Sequence, residues 1–452
     1  MTSIMVAALL VAAEPPEVFR AVLVGPGIDP QSGWHATARE ITPECPVPWR
    51  VRRVMLHGGK QEGVVLVVID NGAMKITVVP TRGMGILRVE AGDVRLGWDS
   101  PVKEVVHPVY VDLGSRGGLG WIEGFNEWLC RCGLESNGQP GPDRFINNLG
   151  EESTMELTLH GRIANLPAQQ VVLEVQRAAP YRITLRGQVD ERMLFGPKLE
   201  LQSELSLEPG SLAMRLTDQV TNRGGQPQEF ELLYHVNFGG PLLEAETRLA
   251  APAAVVRPFN ARAAEGLQTW AEYAGPTPGY IEQVYFLELR GDAQRRTQVV
   301  LHNRGADRGA KLAWSLDELP YFTLWKNTGA EADGYVTGLE PGTNYPQHRS
   351  VERRHGRVPQ LQPGEQRRFT LECEVLPSSE AVQQALAAVA ALQGGQPAEL
   401  DPRPVQEPAD EEAAGQSTAE PEAIGRAPRG EPQLGRGEPR RSCPLPAEQA
   451  QP

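Results

Sequence analysis

The sequence predicts an all-β fold, a large antiparallel sandwich or barrel with few helices. Two observations lead to it. Between about residues 48 and 377, short segments alternate apolar and polar residues and are punctuated by Gly, Pro, Asn and Asp. Helical spacing stands out in one stretch just beyond that region. No motif recurs at a fixed period, which argues against a propeller or solenoid.

Taken in order, alternation marks strands at residues 64–69, 74–79, 170–175 and 182–189. Leu199, Leu201, Leu205 and Leu207 then alternate with polar residues, Glu208-Pro209-Gly210-Ser211 turns the chain, and Leu212, Met214, Leu216 and Val220 alternate again. That pattern specifies a β-hairpin. Further strands are expected at 230–238, 298–302, 322–325 and 369–375. Past them, Val382, Leu386, Val389 and Leu392 fall at helical spacing in an Ala-rich stretch that ends at Gly394-Gly395, so one peripheral helix is expected over 378–395. Residues 1–47 are expected to form an N-terminal extension outside a β domain of residues 48–377. Residues 396–452 hold 11 of the 39 prolines and no Phe, Tyr or Trp, a composition expected to stay disordered.

Over its 452 residues the chain is 40% apolar, which permits a sizeable core, and only 22% charged. With 44 Lys and Arg against 57 Asp and Glu the net charge is −13, so there is no basic footprint for nucleic acid or anionic lipid. The sequence has no apolar run of about 18–20 residues, so no membrane span is expected. Residues 4–13 are apolar and precede Glu14-Pro15-Pro16, and Val11-Ala12-Ala13 suits a cleavage site, although no Lys or Arg precedes the run. Location is therefore expected to be cytoplasmic, or exported if residues 1–13 are a signal peptide. Cys45, Cys130, Cys132, Cys373 and Cys443 are scattered, without a C-x-x-C pair, so neither a metal nor a disulfide framework is expected. No Gly-x-Ser-x-Gly, phosphate-binding glycine loop or His-Glu-x-x-His occurs, which leaves esterase, nucleotide and zinc-peptidase readings without support. The sequence sets no oligomeric state.

Three clusters could carry chemistry. In the strand at 230–238, Phe230, Leu232, Tyr234, Val236 and Phe238 share one face, while Leu233, His235 and Asn237 share the other. His235 is then either a hydrogen-bonded core histidine or a side chain projecting into a cleft. Leu159-His160-Gly161-Arg162-Ile163-Ala164-Asn165 gathers three long-reach polar residues, which suits a polyhydroxylated ligand or equally a surface loop. Gly338-Leu339-Glu340-Pro341-Gly342-Thr343-Asn344 reads as a strand end running into a Pro-Gly turn and places a carboxylate at a sheet rim, where sites gather, although a lone Glu is usually solvated. A fourth stretch, 117–138, combines Trp121, Phe125, Asn126 and Asn137. Sugar rings select such a mixture, because their C–H faces stack on aromatics and their hydroxyls need paired donors and acceptors.

Together these clusters resemble the aldose 1-epimerase (galactose mutarotase-like) superfamily, most closely its DUF4432-type branch, over residues 54–375. The residues that carry the resemblance are Gly58-Gly59-Lys60-Gln61-Glu62-Gly63, Thr81-Arg82-Gly83-Met84-Gly85, Arg131-Cys132-Gly133-Leu134, His160 to Pro167, Tyr234-His235-Val236-Asn237 and Leu339-Glu340-Pro341. The resemblance implies an antiparallel β-supersandwich and a cofactor-free sugar epimerase acting at C1 of a small-molecule carbohydrate. It implies His235 as general acid on the ring oxygen and Glu340 as general base on the anomeric hydroxyl. His160, Arg162 and Asn165 would bind sugar oxygens, and Arg82, Asn237 and Lys326 complete the expected substrate-binding set. Tyr234 stands where better-known members have Asn, and the Leu-His-Gly and Gly-Arg-x-Ala-Asn elements are fused here. The alternative is a non-catalytic carbohydrate-binding or sensing protein on the same fold.

Overall fold

The computed structural model describes residues 17–29, 31–407 and 409. The candidate signal peptide, and residues 408 and 410–452 of the expected disordered tail, lie outside them. Among the described residues, two large sheets, of nine and thirteen strands, share one hydrophobic core. In the larger sheet, Glu231–Phe238 lies between Leu129–Leu134 and Val336–Gly342, followed outward by Tyr321–Asn327, Gln283–Leu289 and Ala253–Pro258. Neighbouring strands run antiparallel except at one edge, where Glu399–Leu400 pairs parallel to Ala253–Pro258. This is the antiparallel β-sandwich that the alternation called for.

The hairpin forms between Lys198–Leu207 and Ala213–Asn222, with Leu207 opposite Met214. Gly210 takes φ +79° in its turn, a conformation that costs a residue without a Cβ nothing. The leucines of both strands turn into the core because a period of two puts alternate side chains on one face. In Glu231–Phe238 the same rule divides the strand. Leu232, Tyr234, Val236 and Phe238 join the core between the sheets, while Leu233 joins a separate cluster with Trp98, Trp121, Phe125, Cys130 and Cys132 on the other face.

A buried ion pair ties the sheets together. Arg131, on Leu129–Leu134, bonds Asp218 of Ala213–Asn222 through Nε and, at 2.9 Å, through Nη2. The guanidinium also donates to Ser203 Oγ at 2.6 Å and to Met84 O at 3.0 Å, and Tyr234 OH donates to Asp218 at 2.9 Å. Every guanidinium nitrogen has a partner, the condition under which a buried charge is tolerated.

Two domain boundaries differ from the sequence reading. Val18–Val24 is an edge strand of the nine-stranded sheet, paired with Gln170–Gln176, and Trp34–Thr37 pairs with Arg50–Met55, so the β fold begins well before residue 48. An edge strand buries only part of one face, and within Val18–Val24 only Leu23 is fully buried, so its alternation is faint in composition. At the other end, Glu399–Leu400 adds to a sheet edge, Val405 N donates to Pro258 O, and Gln406 N donates to Phe259 O. These are main-chain bonds, which need no aromatic residue and leave no trace in a Pro-rich composition. Between them, Ser379–Gln393 is helical. Ser378 caps it by accepting from Ala381 N, Gly394 ends it in the left-handed region, and Val382, Ala385 and Val389 pack beside Val300 and Leu376. Among the described residues no helix is long and apolar enough to cross a membrane.

Candidate active site

The face of the larger sheet turned away from the core positions His235. Leu233 pairs with Gly342 and Val236 with Leu339, a register that sets Glu340 beside His235 on the next strand. Nε2 of His235 lies 3.3 Å from Oε1 of Glu340. On its other side, His235 Nδ1 lies 2.6 Å from Oδ1 of Asn237. The Asn237 amide nitrogen donates to Glu127 O at 3.0 Å and to His235 O at 3.2 Å, so its oxygen is the acceptor. That fixes the proton of a neutral His235 on Nδ1 and leaves the Nε2 lone pair toward Glu340.

Rings enclose the pair. Trp121, Phe125, His160 and Trp325 lie 5.9, 5.1, 5.3 and 5.5 Å from the His235 ring, centroid to centroid. Gly338 lies across from Trp325 in the sheet, against the pair. A Cβ there would stand 2.5 Å from Glu340 Oε1 and 3.1 Å from His235 Cε1.

Burial dominates the electrostatics. It pulls His235 well below the usual imidazole range, with His160 adding to the shift and the Asn237 bond opposing it. It lifts Glu340 well above the usual carboxylate range, assisted by the charge of Glu282. Both shifts favour the neutral forms.

His160 takes φ +58° at a turn and donates from Nδ1 to Asn137 O at 2.9 Å. Its ring meets Trp121 edge-on at 4.7 Å, and burial lowers it to about 4, so it is a neutral acceptor at Nε2. Behind it, Asn137 N donates to Glu231 at 2.8 Å, and Asn344 bonds both Asn137 and Glu231.

The remaining expected residues divide. Asn237 positions His235, as above. Arg82 is buried, with Nε 2.9 Å from Glu127 and Nη1 donating to Val106 O at 3.1 Å, while Nη2 has no hydrogen-bond partner. Asn165 is buried with neither amide atom bonded. Arg162 is exposed and acts electrostatically on Glu135 and Glu191. Lys326 stands apart from the pair. Its ammonium donates to the carbonyls of Thr269, Trp270 and Glu272 at 3.3, 3.2 and 2.6 Å, over the ring of Tyr273. On a strand, one residue separates the two faces, so Trp325 reaches the site and Lys326 points to the other side.

Sequence reasoning missed Trp325 and Thr323, and the packing role of Gly338. Thr323 pairs with Glu340 across the strands and is buried with an unbonded hydroxyl. The alternation of Phe322 and Leu324 with Thr323 and Trp325 was the signal that could have found two of them. No group of three or more metal-ligating side chains occurs among the described residues.

No curated protein matches the chain. A crystal structure from Klebsiella pneumoniae, provisionally named an aldose 1-epimerase, is 38% identical, with a TM-score of 0.81 over 86% of this chain and 100% of its own. A galactose mutarotase-like protein from Clostridium acetobutylicum is 15% identical, with a TM-score of 0.47 over 72% of this chain and 98% of its own. The pattern of the family described as Domain of unknown function (DUF4432) matches residues 61–375, well over half the sequence. The chain belongs to the DUF4432 family and has a galactose mutarotase-like fold.

Proposed function

We propose that this protein interconverts the anomers of an aldose by opening and closing the sugar ring, with His235 and Glu340 exchanging the protons. One observation carries the reading: His235 Nε2, left with its lone pair by the Nδ1 bond to Asn237, lies 3.3 Å from Oε1 of Glu340. The ring oxygen and the anomeric hydroxyl of an aldose share a single carbon, so the groups that serve them must be close neighbours.

In the neutral pair Glu340 holds the proton and His235 the lone pair. This is the reverse of the starting polarity that the family resemblance implies. The carboxyl gives its proton to the ring oxygen as the bond from C1 to that oxygen breaks, and the bonding electrons pass to the oxygen. The O–H electrons of the anomeric hydroxyl form the carbonyl, and its proton passes to His235 Nε2. Imidazolium and carboxylate then stand side by side, each stabilising the other. Rotation about C1–C2 turns the carbonyl, the ring hydroxyl attacks its other face, Glu340 takes the hydroxyl proton and His235 protonates the new anomeric oxygen. The pair returns to its first state, and neither a hydride nor a group is transferred.

Buried polar atoms without partners support a hydroxylated ligand. Glu340 Oε1, Thr323 Oγ1 and Trp121 Nε1 have no hydrogen bond, whereas native proteins satisfy most such atoms. Trp121 and Trp325 offer faces for the C–H surface of a sugar. The Klebsiella relative's provisional name agrees with this reading.

The test is optical relaxation of pure anomers of several aldoses with and without the protein. Acceleration of at least one supports the reading, and no acceleration across a broad panel contradicts it. A binding or sensing role without turnover has one observation in its favour: the side chains of His235 and Glu340 are only 5% and 2% exposed. Calorimetry separates the two, because that role requires saturable sugar binding with no change in anomer exchange.

A further inference from the structure

Glu282 is exposed, immediately before Gln283–Leu289, and accepts a hydrogen bond from Trp325 Nε1 at 2.7 Å. Through that bond a carboxylate is fixed to one wall of the site, since the Trp325 ring lies 5.5 Å from His235 and 6.2 Å from Phe125. Its charge is felt at Glu340, whose proton it helps to retain. The cations expected to meet substrate are held by other groups, although Arg82 Nη2 has no hydrogen bond. Arg82 is paired with Glu127, Lys326 with three carbonyls on the other side of the sheet, and Arg162 lies in the field of Glu135 and Glu191. A phosphate or carboxylate on the sugar would therefore meet a fixed negative charge at this wall.

We propose that Glu282 restricts the site to uncharged aldoses and excludes sugars that carry an anionic group. The proposal rests on the mutarotase reading for the site and adds the substrate class. Like charges brought together on binding penalise the wrong ligand, and the hydrogen bond to Trp325 keeps the carboxylate from swinging away.

The experiment compares glucose and galactose with their 6-phosphates, using the full chain and the variants Glu282→Gln and Glu282→Lys. Anomer exchange is read by NMR and binding by calorimetry, each at low and high salt. With the wild type, kcat/KM for the neutral sugar should exceed that for the phosphate by about tenfold or more at low salt, and less at high salt. Glu282→Gln should narrow that ratio and Glu282→Lys should narrow it further, to about one or below. A wild type that prefers the phosphates, or a ratio unchanged in both variants, overturns the proposal. If no sugar is turned over but calorimetry shows the neutral preference and its loss in Glu282→Lys, the specificity assignment stands and the enzymatic reading falls. If none of the sugars binds or exchanges, both fall.

Discussion

Gly338 makes room for Glu340: a Cβ at position 338 would stand 2.5 Å from the carboxyl oxygen that faces His235. The nearest atom is the far end of a side chain, so Gly338→Ala displaces the carboxyl while the strand persists. A misplacement on the order of 1 Å costs about 100-fold in a step that depends on positioned groups. Gly338→Ala should lower anomer exchange by about that factor while stability to urea changes by about 1 kcal/mol or less. An active Ala variant would show that the carboxyl need not sit where it does.

The opposite shifts of His235 and Glu340 set a pH profile. His235 lies below the usual imidazole range and Glu340 above the usual carboxylate range. Activity should fall on the acid side when His235 takes a second proton, at a pH below 6.5, and on the alkaline side when Glu340 loses its own, at a pH above 4.5. Glu282→Gln removes a charge that helps hold the Glu340 proton, so the alkaline limb should move to lower pH. His160, lowered to about 4, should show no titration of its ring protons between pH 5.5 and 8 by NMR.

Arg131 and Asp218 hold the two sheets together from fully buried positions. Removing one partner leaves a buried charge uncompensated. Asp218→Ala should cost about 3–5 kcal/mol in urea denaturation, and the double variant Arg131→Met/Asp218→Leu should recover much of that loss. Equal losses in the single and double variants would mean that packing, and not the charge, sets the cost.

Lys326 separates a structural role from a binding role. Its three carbonyl partners lie away from the site, so Lys326→Met should cost about 2–3 kcal/mol of stability, with KM unchanged within about twofold in the folded fraction. A large rise in KM at unchanged stability would place the ammonium on the substrate.

Strand period and motif order made the sandwich, and the meeting of His235 with Glu340, legible. The alternation across Phe230 to Phe238 separates the core face from the face bearing His235, and the Glu-Pro at 340–341 falls in register beside it. Lys326 falls on the face away from the site because a step of one residue changes the face, and the alternation at 322–325 does not by itself say which residues point outward. Val18–Val24 and Glu399–Leu400 were missed because main-chain pairing at sheet edges leaves little trace in side-chain pattern. The role of Gly338 was illegible for a different reason: it depends on what lies next to an absent side chain, which only packing reveals.

The most direct test is anomer exchange measured by NMR on an accepted aldose with the wild type, His235→Ala and Glu340→Gln. Gln keeps the shape of the neutral carboxyl but can neither give nor take the proton, so folding should survive. Both variants should lose about 100-fold or more in kcat while binding the sugar within about tenfold of the wild type. Equal rates in all three proteins would contradict the assignment of His235 and Glu340 as the proton-exchanging pair.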